Sequence, residues 1–300
     1  MSAPGDRPSY PLEHLLELED GRIVEWEAIG AGPPLLWIEG GPGLPAHLAR
    51  PDVELVSDRF RAYLVNAPGS GRSSPPATAD GYGLEASVRY FDDVRRRLGL
   101  ERVTLMGHSW GGLIGLALTL AVPEAVERLV LIDAYAGEAS IPEPEAVAER
   151  ERAFDRLRGE PWFEGALAAF DDERAVSPEA FDKRFEACWP LYFSAPGRPN
   201  SRHHIARLQR ETRWNLGASD AWWPEGPNNL LPDLATIRCP TLVVVGEHDF
   251  ICGPAWNRPI AAAIPGARYA EIAGAGHMPQ YEAPELFRRI ILDWLDAPPD

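Results

Sequence analysis

Positive charge is scarce in this chain. Lys and Arg number 29 against 45 Asp and Glu, leaving a net charge of −16, and Lys183 is the sole lysine. Nucleic acids and anionic membrane surfaces are bound by clustered cations, so neither is an expected partner. The near absence of lysine beside abundant Ala and Pro fits coding bias rather than function. Cysteine is also sparse: Cys188, Cys239 and Cys252 are odd in number and lack metal-ligand spacing. They are expected as reduced, buried thiols of a cytoplasmic protein, with no metal centre. No run approaches the ~18 apolar residues of a membrane span. The opening Met1-Ser2-Ala3-Pro4-Gly5-Asp6 lacks the basic segment and apolar core of an export signal. Internal repeats and low-complexity tracts are missing too, and nothing specifies an oligomeric state.

What remains is 300 residues of 45% apolar content, enough for one large domain or a core with an insertion. Short apolar runs at 23–26, 35–38, 62–65, 103–106 and 129–132 read as strands. Between two of them Leu84, Val88, Phe91, Val94 and Leu98 recur at helical spacing. Near-continuous apolar strands separated by helices imply a mostly parallel, doubly wound α/β sheet covered on both faces. The alternation stops near Tyr135. It resumes at 241–245 and 269–272, and a terminal helix carries Phe287, Ile290, Ile291 and Trp294 on one face. The intervening stretch is rich in Glu, Arg, Pro and aromatics. It holds Trp162, Trp189, Trp214, Trp222 and Trp223, half of the tryptophans. The reading is a core domain of residues 1–134 and 236–300, interrupted by a helical cap of residues 135–235.

The chemistry centres on Gly107-His108-Ser109-Trp110-Gly111-Gly112, set between the strand at 103–106 and an apolar helix. G-x-S-x-G at a strand-to-helix turn lifts the serine above the sheet on a strained bend, the geometry of a nucleophile. A serine needs a base, and the base an acid to fix its tautomer. Two late strand ends supply candidates: Gly246-Glu247-His248-Asp249 and Gly274-Ala275-Gly276-His277. His277 is the expected base, because its glycine-rich approach lets the loop bend back. His248 competes, but it adjoins Asp249 and neighbouring side chains rarely converge. His14, His47, His203 and His204 lie in polar stretches and are expected to be solvated, while His108 packs inside the elbow. Asp249 is the expected acid; Asp133, ending another strand, competes for that role or caps a helix. Two backbone amides should hold an oxyanion, those of Trp110 and of Gly41 in Glu39-Gly40-Gly41-Pro42-Gly43. Gly69-Ser70-Gly71-Arg72-Ser73 lacks the third glycine of a dinucleotide fingerprint and the Lys-Ser/Thr of a P-loop, so it reads as a structural turn. No cofactor is implied.

Taken together, Gly40-Gly41-Pro42-Gly43, Gly69-Ser70-Gly71-Arg72-Ser73 and Ser109-Trp110-Gly111-Gly112 resemble the α/β-hydrolase superfamily, and within it the proline iminopeptidase-like serine peptidases. Asp249 and His277 fall where that group places its acid and base. The resemblance covers 20–134 and 236–297 well and the cap loosely. It implies an α/β-hydrolase fold with a helical cap and a triad of Ser109, Asp249 and His277. It also implies cofactor-free hydrolysis of a small-molecule or short-peptide substrate. The chain departs from the group at Glu39, where histidine is usual, and at Phe250 and Trp189, where carboxylates that receive a terminal ammonium are usual. Glu39, Glu186, Glu211 and Asp220 are possible replacements. Glu39, Gly40, Trp189, Tyr192 and Phe250 are the expected substrate contacts, and the aromatic cap should enclose a compact apolar group such as prolyl. An esterase, lactonase or thioesterase would use the same triad without an ammonium site. A ligand receptor on a hydrolase fold is the non-enzymatic alternative.

Overall fold

The computed structural model describes residues 10–137, 140, 143–172, 177–221 and 228–297. Trp222 and Trp223 lie outside them. Among the described residues eight strands form one sheet: β1 (His14–Glu17), β2 (Ile23–Gly30), β3 (Pro34–Ile38), β4 (Arg61–Val65), β5 (Val103–His108), β6 (Val126–Ile132), β7 (Thr241–Gly246) and β8 (Arg268–Ile272). Their order is β1-β2-β4-β3-β5-β6-β7-β8. β2 pairs antiparallel with both β1 and β4, and every other pairing is parallel. The seven apolar runs of the sequence are all strands. β1 is additional: its side chains are largely exposed, with Leu15 at 54%, so burial left no signature in its composition.

Helices cover both faces. α1 (Arg50–Glu54), α2 (Leu84–Arg97) and α3 (Trp110–Ala121) precede β6. α4 (Glu143–Asp155), α5 (Phe163–Asp171), α6 (Pro178–Cys188), α7 (Pro199–Glu211) and α8 (Leu216–Ala221) lie between β6 and β7. α9 (Pro254–Ala263), α10 (Pro279–Glu282) and α11 (Pro284–Asp296) follow. Several helices begin on proline, where its fixed φ suits the first turn and its missing N–H would have had no partner.

Successive strand side chains point to opposite faces, and the core divides accordingly. Leu36, Ile38, Leu105, Leu131 and Val243 pack with Phe91 and Val94 of α2 and Leu113 and Ile114 of α3. Leu35, Trp37, Met106, Val130, Ile132 and Val244 face the other way, onto Val53 of α1 and Phe287 and Ile291 of α11. A third cluster belongs mainly to the helical segment after β6, with Phe154, Phe163, Phe181, Phe185, Trp189 and Phe193. The sheet is therefore rigid on both faces, and its strand ends can hold loops in fixed relation. Among the described residues no helix is long and apolar enough to cross a membrane.

Candidate active site

Ser109 is the turn between β5 and α3. Its φ of 52° and ψ of −118° lie in a region that non-glycine residues rarely occupy. The bend is held from outside and from within: Ser109 N–H donates to Ile132 O of β6 at 2.8 Å, and Ser109 O accepts from Gly112 N–H of the same turn at 2.9 Å. The hydroxyl meets the cavity described below, and its neighbour there is the Cys252 thiol. Burial, then the nearby Asp249 and Asp133 carboxyls, push that thiol well above its usual range. Cys252 is as buried as the sequence suggests, yet its place against Ser109 has no sequence signal, since the loops after β5 and β7 meet only across the end of β6.

His277 and Asp249 come together as expected. His277 Nδ1 lies 2.8 Å from Asp249 Oδ2, with both side chains buried, and Asp249 Oδ1 accepts from Ile251 N–H at 2.8 Å. With Nδ1 so engaged, Nε2 is the imidazole nitrogen available to the cavity. The two loops are laced together: His248 N–H donates to Ala275 O at 2.8 Å, and Gly274 N–H to Glu247 Oε2 at 2.8 Å. Glu282 adds a clamp, accepting from Gly276 N–H at 2.5 Å, Ser194 Oγ at 3.0 Å and Ala195 N–H at 3.2 Å. It thereby ties the residue before His277 to the helical segment.

The competitors fall elsewhere. His248 faces Glu247 at 3.5 Å and does not join Asp249. Asp133 does not contact the imidazole as acid, nor does it cap a helix. Its Oδ1 accepts from Gly246 N–H at 2.8 Å, at the end of β7. His108 packs as expected, its Nε2 at 2.9 Å from His277 O; burial, then the neighbouring His277, lower its pKa to about 3. Two histidines expected in solvent are not there. His47 is 6% exposed and stacks on Tyr10, while half-buried His204 stacks on Tyr281 at 4.2 Å. Aromatic partners distant in sequence withdraw them from water.

Glu39-Gly40-Gly41 leaves β3 directly beside the elbow. A side chain at Gly40 would stand 3.2 Å from Ser109 Cβ, and Gly41 has φ of +69°. The loop can therefore run close past the serine with an amide free to face it. Its carboxylate, Glu39, accepts from Trp37 Nε1 at 3.0 Å and Gly40 N–H at 3.1 Å. Burial first, then the neighbouring Asp52, raise its pKa to about 8. Asp52 is itself raised to about 7 by burial, although it accepts from Tyr281 OH at 2.6 Å. Arg207 is the cation of this cluster, donating to Leu48 O at 2.9 Å and Tyr281 OH at 3.0 Å.

These parts open on one cavity of about 1110 Å³. Glu39, Gly40, Gly41, Ser109, Trp110 and His277 form its floor, while Phe181, Phe185, Trp189, Tyr192 and Trp214 come from the helical segment. The volume exceeds the compact pocket expected for a prolyl group alone, and lies just above the usual range of small-molecule sites. Phe250 is not a lining residue. It packs behind the wall against Phe154, Phe170 and Tyr192, because Asp249 turns inward and its neighbour is carried outward. Of the four candidate ammonium partners, Glu39 and Asp220 line the cavity; Glu211 is engaged by Arg210 and Arg207, and Glu186 is not a lining residue. Gly69-Ser70-Gly71-Arg72-Ser73 is a structural turn, fastened to buried Glu25 through Arg72 N–H at 2.7 Å and Arg72 Nε at 2.6 Å.

The chain is 25% identical over 285 residues to a putative carbamate hydrolase RutD of Serratia proteamaculans (strain 568), covering 90% of this chain and 95% of that one. It is 28% identical over 293 residues to a proline iminopeptidase of Neisseria gonorrhoeae, covering 87% and 89%. The crystal structure of a hydrolase from Pseudomonas aeruginosa PA01 superimposes with a TM-score of 0.70 at 25% identity, over 98% of this chain and all of that one. A model of the alpha/beta hydrolase fold matches residues 33–284, and the chain belongs to that family of hydrolases.

Proposed function

We propose that the protein is a serine hydrolase that cleaves an amide or ester through an acyl-enzyme. One observation carries this reading: Ser109 on a left-handed turn shares a cavity floor with a buried His277 whose Nδ1 is held by Asp249. Ser109 Oγ attacks the substrate carbonyl while His277 Nε2 takes its proton. Asp249 fixes the tautomer and stabilises the imidazolium. The amides of Gly41 and Trp110 receive the negative charge that develops on the carbonyl oxygen. His277 then protonates the leaving group, and the same machinery activates the water that releases the acyl group.

For the substrate we favour an acyl group bearing a free amine, as in removal of an N-terminal proline or similar residue. The support is Glu39, a carboxyl on the cavity floor that forms no salt bridge among the described residues, Arg207 acting on it only at longer range; an entering ammonium would supply a direct partner. The cavity volume leaves room for a leaving group beside the acyl part. A second reading, an esterase, lactonase or thioesterase for apolar acyl groups, draws on the aromatic wall and on the absence of a carboxylate at Phe250 and Trp189. A prolyl arylamide, its N-acylated form and short p-nitrophenyl esters separate the two. The amine-dependent reading expects cleavage of the free arylamide, refusal of the blocked one, and loss of that preference in Glu39→Gln. Ester turnover without detectable arylamide cleavage would leave the esterase reading standing alone.

A further inference from the structure

A second carboxyl group lies against the acid of the site. Asp133 follows β6 with φ of 44°, fully buried, its N–H donating to Val244 O at 2.9 Å. Asn257 braces the next residue, accepting from Ala134 N–H at 3.2 Å and donating to Ala134 O at 3.0 Å. Oδ1 of Asp133 accepts from Gly246 N–H, whereas Oδ2 is buried with no donor to accept from among the described residues. Donor atoms of Asp133, Asp249 and His277 all lie within 4.8 Å of one another. The titratable groups facing Asp133 are Asp249 and Cys252 beyond β7, and His277 and Glu282 beyond β8. Among the described residues neither carboxyl has a salt bridge to arginine or lysine, and the imidazole is committed to Asp249.

Two buried carboxylates at this separation cannot both ionise readily beside one imidazole. Asp249 accepts from two donors and Asp133 from one, so the shared proton belongs on Asp133. Burial and the charge of Asp249 act in the same direction, raising Asp133 well above the ordinary carboxyl range. We infer that Asp133 is a positioning residue, held as a neutral carboxylic acid that donates a hydrogen bond to Asp249 and so fixes the carboxylate that orients His277. The strained backbone at Asp133 is consistent with a side chain held in place by its role rather than by local preference. Keeping Asp133 neutral also spares His277 a second negative neighbour, which would hold the imidazole in its protonated, unreactive form.

The inference rests on the proposed triad for its kinetic arm alone. Asp133→Asn retains a donor without a charge. It should keep kcat/KM within about threefold and leave the ascending limb of the pH profile unmoved. Asp133→Ala removes the donor and should lower kcat by about 10- to 100-fold with little change in KM, moving that limb upward as Asp249 turns its charge on His277. A downward shift of about one pH unit or more in Asp133→Asn would mean that the native group is ionised, and overturns the inference. Equal activity of the Asn and Ala variants overturns it too. Infrared difference spectra of wild type against Asp133→Asn at pH 7 supply a readout without turnover, in which a protonated carboxyl C=O band lost in the variant is expected. A missing band refutes the proton assignment. A band present in a protein that turns over no ester or amide refutes the hydrolase reading instead.

Discussion

Alanine at Gly111 tests whether the close approach of α3 to β3 sets the geometry of the site. Its Cβ would stand 2.0 Å from Ile38 O, 2.6 Å from Ile38 C and 2.8 Å from Glu39 O, all backbone atoms. Real Cβ atoms essentially never come within 3.0 Å of such neighbours, so the start of α3 and the end of β3 must part by roughly 1 Å. One side of that gap carries Ser109, and the other carries Gly40 and Gly41. A displacement of this size between a nucleophile and its oxyanion donors costs on the order of 10²-fold in kcat. The strain itself should cost about 1–3 kcal/mol, visible as a Tm lowered by several degrees. Gly115, one turn further along α3, is the control. A Cβ there meets Leu105 Cδ2 at 3.5 Å, an ordinary contact, so alanine should stabilise the helix by about 0.5–1 kcal/mol and leave kcat alone. Initial rates on a p-nitrophenyl ester, normalised to sites titrated with a fluorophosphonate, would be measured beside thermal melts. A Gly111→Ala protein with kcat within about threefold of wild type and an unmoved Tm would refute the packing analysis.

Further outcomes follow from the same geometry. Fluorophosphonate should label the protein once, and Ser109→Ala should abolish labelling and cut kcat by about 10⁴- to 10⁶-fold; persistent labelling would move the nucleophile elsewhere. Asp249→Asn should keep its fold by circular dichroism and lose roughly 10⁴-fold in kcat, and a loss below tenfold would remove it as the acid. Tyr281→Phe deprives Asp52 Oδ2 and Arg207 of a shared partner and should cost about 1–3 kcal/mol in denaturant melts. Glu39 and Asp52, raised to about 8 and about 7, favour the fold in their protonated forms. Their contribution is complete below the ordinary carboxyl range and lost as pH rises from there through 7 to 8, so Tm should fall between about pH 5 and 8 and level off above that. Glu39→Gln should flatten that slope, and an unchanged slope would contradict the assignment.

Much of the fold was legible because burial writes itself into composition. β3, β5, β7 and residues 129–132 of β6 are buried on both faces and appear as largely apolar runs; β1 is exposed and left no trace. The Asp249–His277 pairing was legible for a related reason: both residues end strands that pair in parallel, so chain position alone brought the loops together. Side-chain direction was not legible. Phe250 and Asp249 are sequence neighbours that point to opposite sides of a wall. His47 and His204 sit in polar sequence but lie against aromatic rings from elsewhere in the chain. The meeting of Asp133 with Asp249 depends on β6 and β7 adjoining, and that of Cys252 with Ser109 on the loops after β5 and β7 meeting across β6, neither of which a local pattern records.

The strand order also bears on how the chain is made. From β3 outward the parallel strands β5, β6, β7 and β8 follow one another in space as they do in sequence. A chain emerging from the ribosome can therefore extend its sheet one strand at a time from an existing edge. Ser109 is synthesised long before Asp249 and His277, so a nascent chain carries the serine elbow without the means to activate it. The waiting period is the hazard. Residues 133–240 must be made while the apolar edge of β6 stands without β7. Chains arrested before β7 should aggregate more readily than complete ones, and a helical segment quick to collapse over that edge would shield the sheet from other chains before it ever meets a substrate.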